Sequence, residues 1–216
     1  METADGGEGD VNEYSLTELF GRLEFAQPSL GVMLAAFGLV LLTVGSRIDR
    51  ILIPATYVVI GLFMGIAGVD DPILKWLAGA LSAVALGIAS SHFRRVAVGV
   101  LGGAWSAVWF GHLAMSVGVP ESAVTALAAA CFAVAIALTF VMLSEATTAV
   151  LSFQGAALLV AGLIIVGSWQ LEVWNNVRFI FLSYPLYLAF LLLSGTVIGY
   201  YLQMSEARRK AIGTSG

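Results

Sequence analysis

The chain has 216 residues, of which 59% are hydrophobic and 11% charged, with a net charge of -4 and a mean hydropathy of +0.94. Soluble domains carry roughly 25% charged residues, so this composition excludes an ordinary water-soluble domain, and the length leaves no room for a sizeable one outside a membrane. One cysteine, Cys131, excludes a disulfide framework, and one Cys with two His cannot build an ordinary zinc site.

The first stretch, 1–10, is acidic and Gly-rich and lacks the basic and apolar regions of a signal peptide. Ser15-Leu16-Thr17-Glu18 has the pattern of a capping box. Leu16, Leu19, Phe20 and Leu23 then recur at helical spacing. Residues 1–26 are therefore expected to form an acidic extracytoplasmic N-terminus with a short amphipathic helix on the membrane surface or over the bundle.

From 27 to 204 the chain is a series of apolar runs whose centres carry no Asp, Glu, Lys or Arg. A run of about 18 such residues crosses a ~30 Å hydrocarbon core as a helix. Seven are predicted, at 28–45, 51–68, 73–90, 96–117, 122–143, 146–167 and 179–202. The breaks are Ser46 to Arg50, Asp70-Asp71-Pro72, His92 with Arg94 and Arg95, Gly118 to Ser122, Ser144-Glu145, and Trp169 to Arg178. Only one charge marks the break at Ser144-Glu145, but merging the fifth and sixth runs would give about 45 residues, too long for one crossing. Short breaks make consecutive helices antiparallel neighbours. The predicted fold is all-α, a polytopic seven-transmembrane-helix bundle of one leading helix plus three helical hairpins, with a basic cytoplasmic tail at 205–216. Pro54 and Pro185 are expected to kink their helices. Trp169, Trp174, Tyr184, Tyr200 and Tyr201 read as interface anchors.

Arg47, Arg50, Arg94, Arg95, Arg208, Arg209 and Lys210 fall on one side of these spans, and Arg22, Lys75 and Arg178 on the other. Seven against three places the C-terminus in the cytoplasm and, with an odd number of spans, the N-terminus outside. A shift of 45 residues lays Arg50-Ile51-Leu52 on Arg95-Val96-Ala97, a parallel repeat of hairpins. Helices in lipid gain nothing from the hydrophobic effect by meeting, so small residues must let their backbones close up. Pairs four apart supply them: Gly61 and Gly65, Gly99 and Gly103, Gly195 and Gly199, and also Ala126 with Ala130 and Ala157 with Ala161.

Polar groups inside the membrane are expensive and so are candidate functional residues. Gln154, about 12 Å into the sixth span at 1.5 Å per residue, lies near the midplane. Ser152 and Thr148 are its candidate companions along a polar path. His112, on one face with Trp105 and Trp109, completes the set. The competing reading gives Gln154 a single interhelical hydrogen bond, and Thr43, Thr56, Thr125, Thr139, Thr147, Thr148 and Thr196 bonds to the carbonyl one turn back. The surroundings of an intramembrane serine nucleophile, a membrane Asp pair and a His-Glu-x-x-His motif are all missing from the spans. No enzyme activity and no cofactor are expected, and nothing basic and aromatic suggests nucleic acid.

Gly45-x-Arg47-x-x-Arg50 after the first span, the Gly61 and Gly65 helix, Arg94-Arg95 before the fourth span, and Thr147-Thr148 with Gly155-Ala156-Ala157-Leu158 in the sixth together resemble the transmembrane protein 198-like family. The resemblance covers about 30–200; Glu145 departs from it, standing where that family has basic residues. It implies a seven-span domain whose animal members look like membrane scaffolds associated with Wnt co-receptors, and the family's general molecular activity is undefined. The expected function is a non-enzymatic membrane scaffold or assembly protein, with a channel or transporter for a small solute or ion as the alternative. The expected partners are the lipid bilayer and other membrane proteins or a second copy of the chain.

Overall fold

A computed structural model describes residues 28–169 and 185–213, the last segment with side chains at 186–205. The amphipathic helix expected within 1–26 and most of the long break after Trp169 lie outside the described residues. Helices make up the described chain: α1 Pro28–Val44, α2 Asp49–Ala67, α3 Leu74–His92, α4 Arg94–Ser116, α5 Glu121–Val141, α6 Leu143–Gly167 and α7 Pro185–Gly213. A single 3-10 turn, Gly45–Arg47, joins α1 to α2. All seven contain a stretch long and apolar enough to cross a membrane. The chain is a multi-pass integral membrane protein.

Local chemistry sets the turns. At one end of the bundle α4 stops where the N–H of Val119 reaches the carbonyl of Ala114 and that of Gly118 reaches Met115. Gly118 has φ 79°, the left-handed conformation that this closure requires and that glycine adopts without strain. At the same end Asp71 Oδ1 accepts from the N–H groups of Ile73 (2.8 Å) and Leu74 (3.0 Å) and so caps α3. At the opposite end, which carries Arg47, Arg50, Arg94 and Arg95, two reversals use one residue each. Phe93 (φ -107°, ψ 50°) separates α3 from α4, and Met142 (φ -131°, ψ 64°) separates α5 from α6. The second break comes earlier than the Ser144-Glu145 boundary expected from charge, and it puts Glu145 in the first turn of α6, where an acid complements the helix dipole.

α6 is the axis. It carries buried residues along its whole length, from Thr147 to Ile165. One core cluster joins Ala156, Val160 and Ile164 to Leu42 of α1 and Leu192 of α7, and a second joins Leu151 to Leu41 and Leu52. A third, Ile53 of α2 with Ala97 and Val98 of α4, receives Val150 from α6. The leading helix α1 therefore packs on α6, far along the chain, as closely as α2 packs on α3 or α4 on α5.

Those contacts bring backbones together. A Cβ on Gly38 would lie 2.7 Å from the carbonyl oxygen of Gly155, and one on Gly162 would lie 2.6 Å from that of Gly31. The pairing of Gly31 with Gly162 and Gly38 with Gly155 makes α1 and α6 antiparallel. In the α2–α3 hairpin a Cβ on Gly61 would meet the Ser82 oxygen at 2.5 Å, and one on Gly65 the Ala78 oxygen at 2.5 Å. Gly103 sits against the Phe132 ring, Gly195 against Ala156, and Gly199 against Leu42 and Ser152. Gly99 is looser, its nearest neighbour being Ile136 Cα at 3.5 Å. Ala126 and Ala130, expected to pack, are exposed instead. The buried side of α5 runs through Val124 and Thr139, so these two alanines point to lipid.

Two expectations about helix ends change. The last helix continues to Gly213, so the tail at 205–216 is largely an extension of α7, and the side chains of Arg208, Arg209 and Lys210 lie outside the described residues. Pro54 lies inside an unbroken α2, whereas Pro185 is the first described residue of α7, so a kink there falls at the edge of the described chain.

Two outcomes follow from this packing. Gly65→Ala should lower stability in detergent by about 1–3 kcal/mol, the range for forcing a methyl into a filled space. Gly99→Ala should leave it unchanged or raise it by up to about 1 kcal/mol through helix propensity; thermal unfolding of the two variants checks the contrast. The bonds from Leu74 and then Ile73 hold the Asp71 carboxyl below its ordinary value. A lowered folded value stabilises above the unfolded one, ~3.9, and that share is lost as pH falls through the folded value. Thermal unfolding measured from pH 7 down to pH 3 should therefore show a smaller acid loss in Asp71→Asn than in the parent chain.

Candidate intramembrane polar site

The candidate polar path does not assemble. Gln154 and Ser152 are two residues apart, about 200° around a helix with 3.6 residues per turn, and so they face different neighbours. The Gln154 amide donates to Thr56 Oγ1 of α2 at 3.1 Å, and Thr56 donates to the Leu52 carbonyl at 3.0 Å. Gln154 Oε1 is buried without a partner. Exchanging the amide's O and N would set the oxygen against Thr56 Oγ1, whose hydrogen is committed to Leu52, and the nitrogen in the place of the orphan, so the orientation shown is the one that makes a bond. Thr148 bonds its own helix at Ser144. His112 is half-buried on α4, and among the described residues no hydrogen bond ties it to Gln154, Ser152 or Thr148. The hydroxyls of Thr43, Thr125, Thr139, Thr147 and Thr196 also bond carbonyls one turn back, as their type predicts.

Ser152 belongs to a different cluster, built on a residue that sequence reasoning passed over. Gln203 of α7 is 2% exposed. Its amide nitrogen donates to the carbonyls of Leu41 (3.0 Å) and Leu42 (3.1 Å) and approaches Ser152 Oγ at 3.2 Å. Its Oε1 accepts from the N–H of Ser46 at 2.8 Å. The last carbonyls of a helix have no partner within it, and here the seventh helix supplies one for the first. Gly45 lies against this amide, with 3.4 Å between an added Cβ and Nε2. The available signal was a lone amide one residue past the predicted end of the last span at 202, where a polar side chain is ordinary and draws no attention.

Beside it, at the basic end, Arg94 pairs with Asp49 across the α2 and α4 starts, the two side chains being 33% and 17% exposed. Tyr57, two turns along α2 from Asp49, donates to the Ala97 carbonyl at 2.7 Å. These bonds attach the α2–α3 hairpin to α4. Next to them a cavity of about 290 Å³ is lined by Arg50, Ser90, Ser91 and the Asp49–Arg94 pair. Arg47, Arg50 and Arg95 are exposed.

A larger groove, about 510 Å³, lies between α4, α5, α6 and α7. Its floor is aromatic: Phe153 packs against Trp105 and Trp109 with centroids 5.4 and 5.9 Å away. Trp109 Nε1 is buried without a partner. Gln154 lines neither cavity. Among the described residues no group of three or more His, Cys, Asp and Glu could hold a metal ion.

The two glutamines should respond differently to substitution. Gln154→Leu removes one bond and one orphaned oxygen, so stability should change by no more than about 0.6 kcal/mol, the mean for interhelical bonds in lipid. Gln203→Leu strands two carbonyls and an N–H and should cost about 1–3 kcal/mol. Unfolding of both variants in the same detergent checks the order. Comparison of the chain with protein-family models, curated proteins and solved structures found no match.

Proposed function

We propose that this integral membrane protein is a non-enzymatic scaffold or assembly protein that presents a fixed surface within and beside the bilayer. The observation that carries this reading is the use of interior amides as ties between helices: Gln154 to α2, and Gln203 to α1 and α6. A solute path needs polar groups free to turn toward what passes, and both amide nitrogens are held by protein acceptors on other helices. The close crossings of α1 with α6 and of α2 with α3 support the same reading, because contacts between backbones resist the rocking that alternating access requires. The resemblance to the transmembrane protein 198-like family points the same way.

The seven-to-three distribution of basic residues favours a cell-membrane protein with its basic end in the cytoplasm. Arg50 and Arg95 then face acidic lipid headgroups or an acidic partner. The lipid-facing helices α2 and α5 offer apolar faces to other membrane proteins or a second copy.

Purified protein in liposomes should pass potassium, protons or a small sugar no faster than protein-free vesicles, and Gln154→Leu should change nothing. A reproducible flux that disappears in folded Gln154→Leu protein would replace the scaffold with a pore. Orientation is read separately, with Ser91→Cys and Ser122→Cys in a Cys131→Ala background and an impermeant thiol reagent. Position 122 should label from outside and position 91 should stay protected; the opposite pattern reverses the topology.

A further inference from the structure

We infer that the groove between α4, α5, α6 and α7 is a binding site for a single-chain amphiphile with a cationic, ammonium-type head. Three observations carry this. First, the groove has the volume of a small-molecule site, about 510 Å³ against a general range of roughly 300–1,000 Å³. Its walls are largely apolar and aromatic, with the Phe153 ring tilted against Trp105 and edge-to-face with Trp109.

Second, the one acidic residue among the described residues that line it stands at the basic end of the bundle. Glu145 occupies the first turn of α6, half-buried, and among the described residues it has no ion-pair partner. The other described acid at that end, Asp49, is neutralised by Arg94. Tyr200 of α7 lines the same mouth, so a cation there meets a carboxylate together with an aromatic ring, the combination that holds ammonium groups.

Third, the groove opens sideways. Leu138 of α5 and Met142 in the break after it are 53% and 48% exposed and Leu193 of α7 is 44% exposed, all lining the groove. An amphiphile can enter from the bilayer with its head at the membrane surface and its chain running inward toward Trp109. A bulk acyl chain would fit the walls equally well, but it would leave the carboxylate facing no counter-charge. Charge complementarity therefore selects a cationic head over an anionic or neutral one. The inference does not depend on the scaffold reading: a scaffold can carry such a ligand as readily as a transporter can.

The test is equilibrium binding of radiolabelled dodecyltrimethylammonium to the whole chain in phosphatidylcholine nanodiscs, with dodecanol and dodecyl sulfate as neutral and anionic probes of the same chain length. The cation should bind about tenfold more tightly than dodecanol, the order expected of one favourable charge contact, and dodecyl sulfate should bind most weakly. Glu145→Gln keeps the side-chain shape and should abolish the preference for the cation while leaving dodecanol binding unchanged. Ala149→Phe, which fills the groove from α6, should abolish binding of the cation and dodecanol alike. Should either variant fold poorly, Thr196→Phe blocks the same groove from α7. Equal binding of cation and dodecanol by the parent chain would overturn the inference, and so would a preference for the cation that survives Glu145→Gln.

Discussion

The contact on which the rest of this bundle depends is the antiparallel crossing of α1 and α6, where Gly31 and Gly38 meet Gly162 and Gly155 backbone to backbone. In lipid, burying apolar side chains gives helices no reason to associate, so the closeness of approach itself has to supply the attraction. With α1 seated there, its C-terminal carbonyls reach Gln203 and its Leu41 and Leu42 enter the two core clusters around α6. Ser152, on the same stretch of α6, completes the polar node that joins the first, sixth and seventh helices. Moving α1 outward by the width of a methyl group would break all of these together.

The α2–α3 hairpin is attached by other means. Its own two helices close through Gly61 and Gly65, and its links to the rest combine apolar contacts, Leu52 with Leu41 and Leu151 and Ile53 with Ala97 and Val98, with polar ones: Asp49 with Arg94, Tyr57 with Ala97, and Thr56 with Gln154. The Gln154 amide is one of these ties. It anchors a helix of which only Leu52, Ile53 and Gly61 are buried. The groove between α5 and α7 has a largely apolar and aromatic lining with one carboxylate among its described residues.

Much of the architecture was legible in the sequence because hydrocarbon enforces a length rule. Seven apolar runs, the Asp70-Asp71-Pro72 turn and the Gly61–Gly65 face follow from local residues. The α1–α6 pairing was not legible for a definite reason. Its glycines recur seven apart, 31 with 38 and 155 with 162, so a search for pairs four apart passes over them, and no local signal joins a first helix to a sixth. Ala126 and Ala130 show the converse, since a four-residue spacing cannot say which face is turned to a neighbour. Gln154 was visible as an isolated amide, but its grouping with Ser152 ignored the 200° between them. The break at Met142 was displaced because charge marks where a helix meets water rather than where its backbone turns.

The described interior is held by close helix crossings and by amides bonded from one helix to another. The measurement that bears most directly on this is thermal unfolding in one detergent of Gly38→Val and Gly162→Val, set against Ala130→Val on the lipid-facing side of α5. The account predicts that both glycine variants lose the folded, monodisperse protein or unfold well below the parent chain, while Ala130→Val unfolds with it. Glycine variants as stable as the parent would mean that α1 and α6 do not meet backbone to backbone, and the architecture described here would not hold.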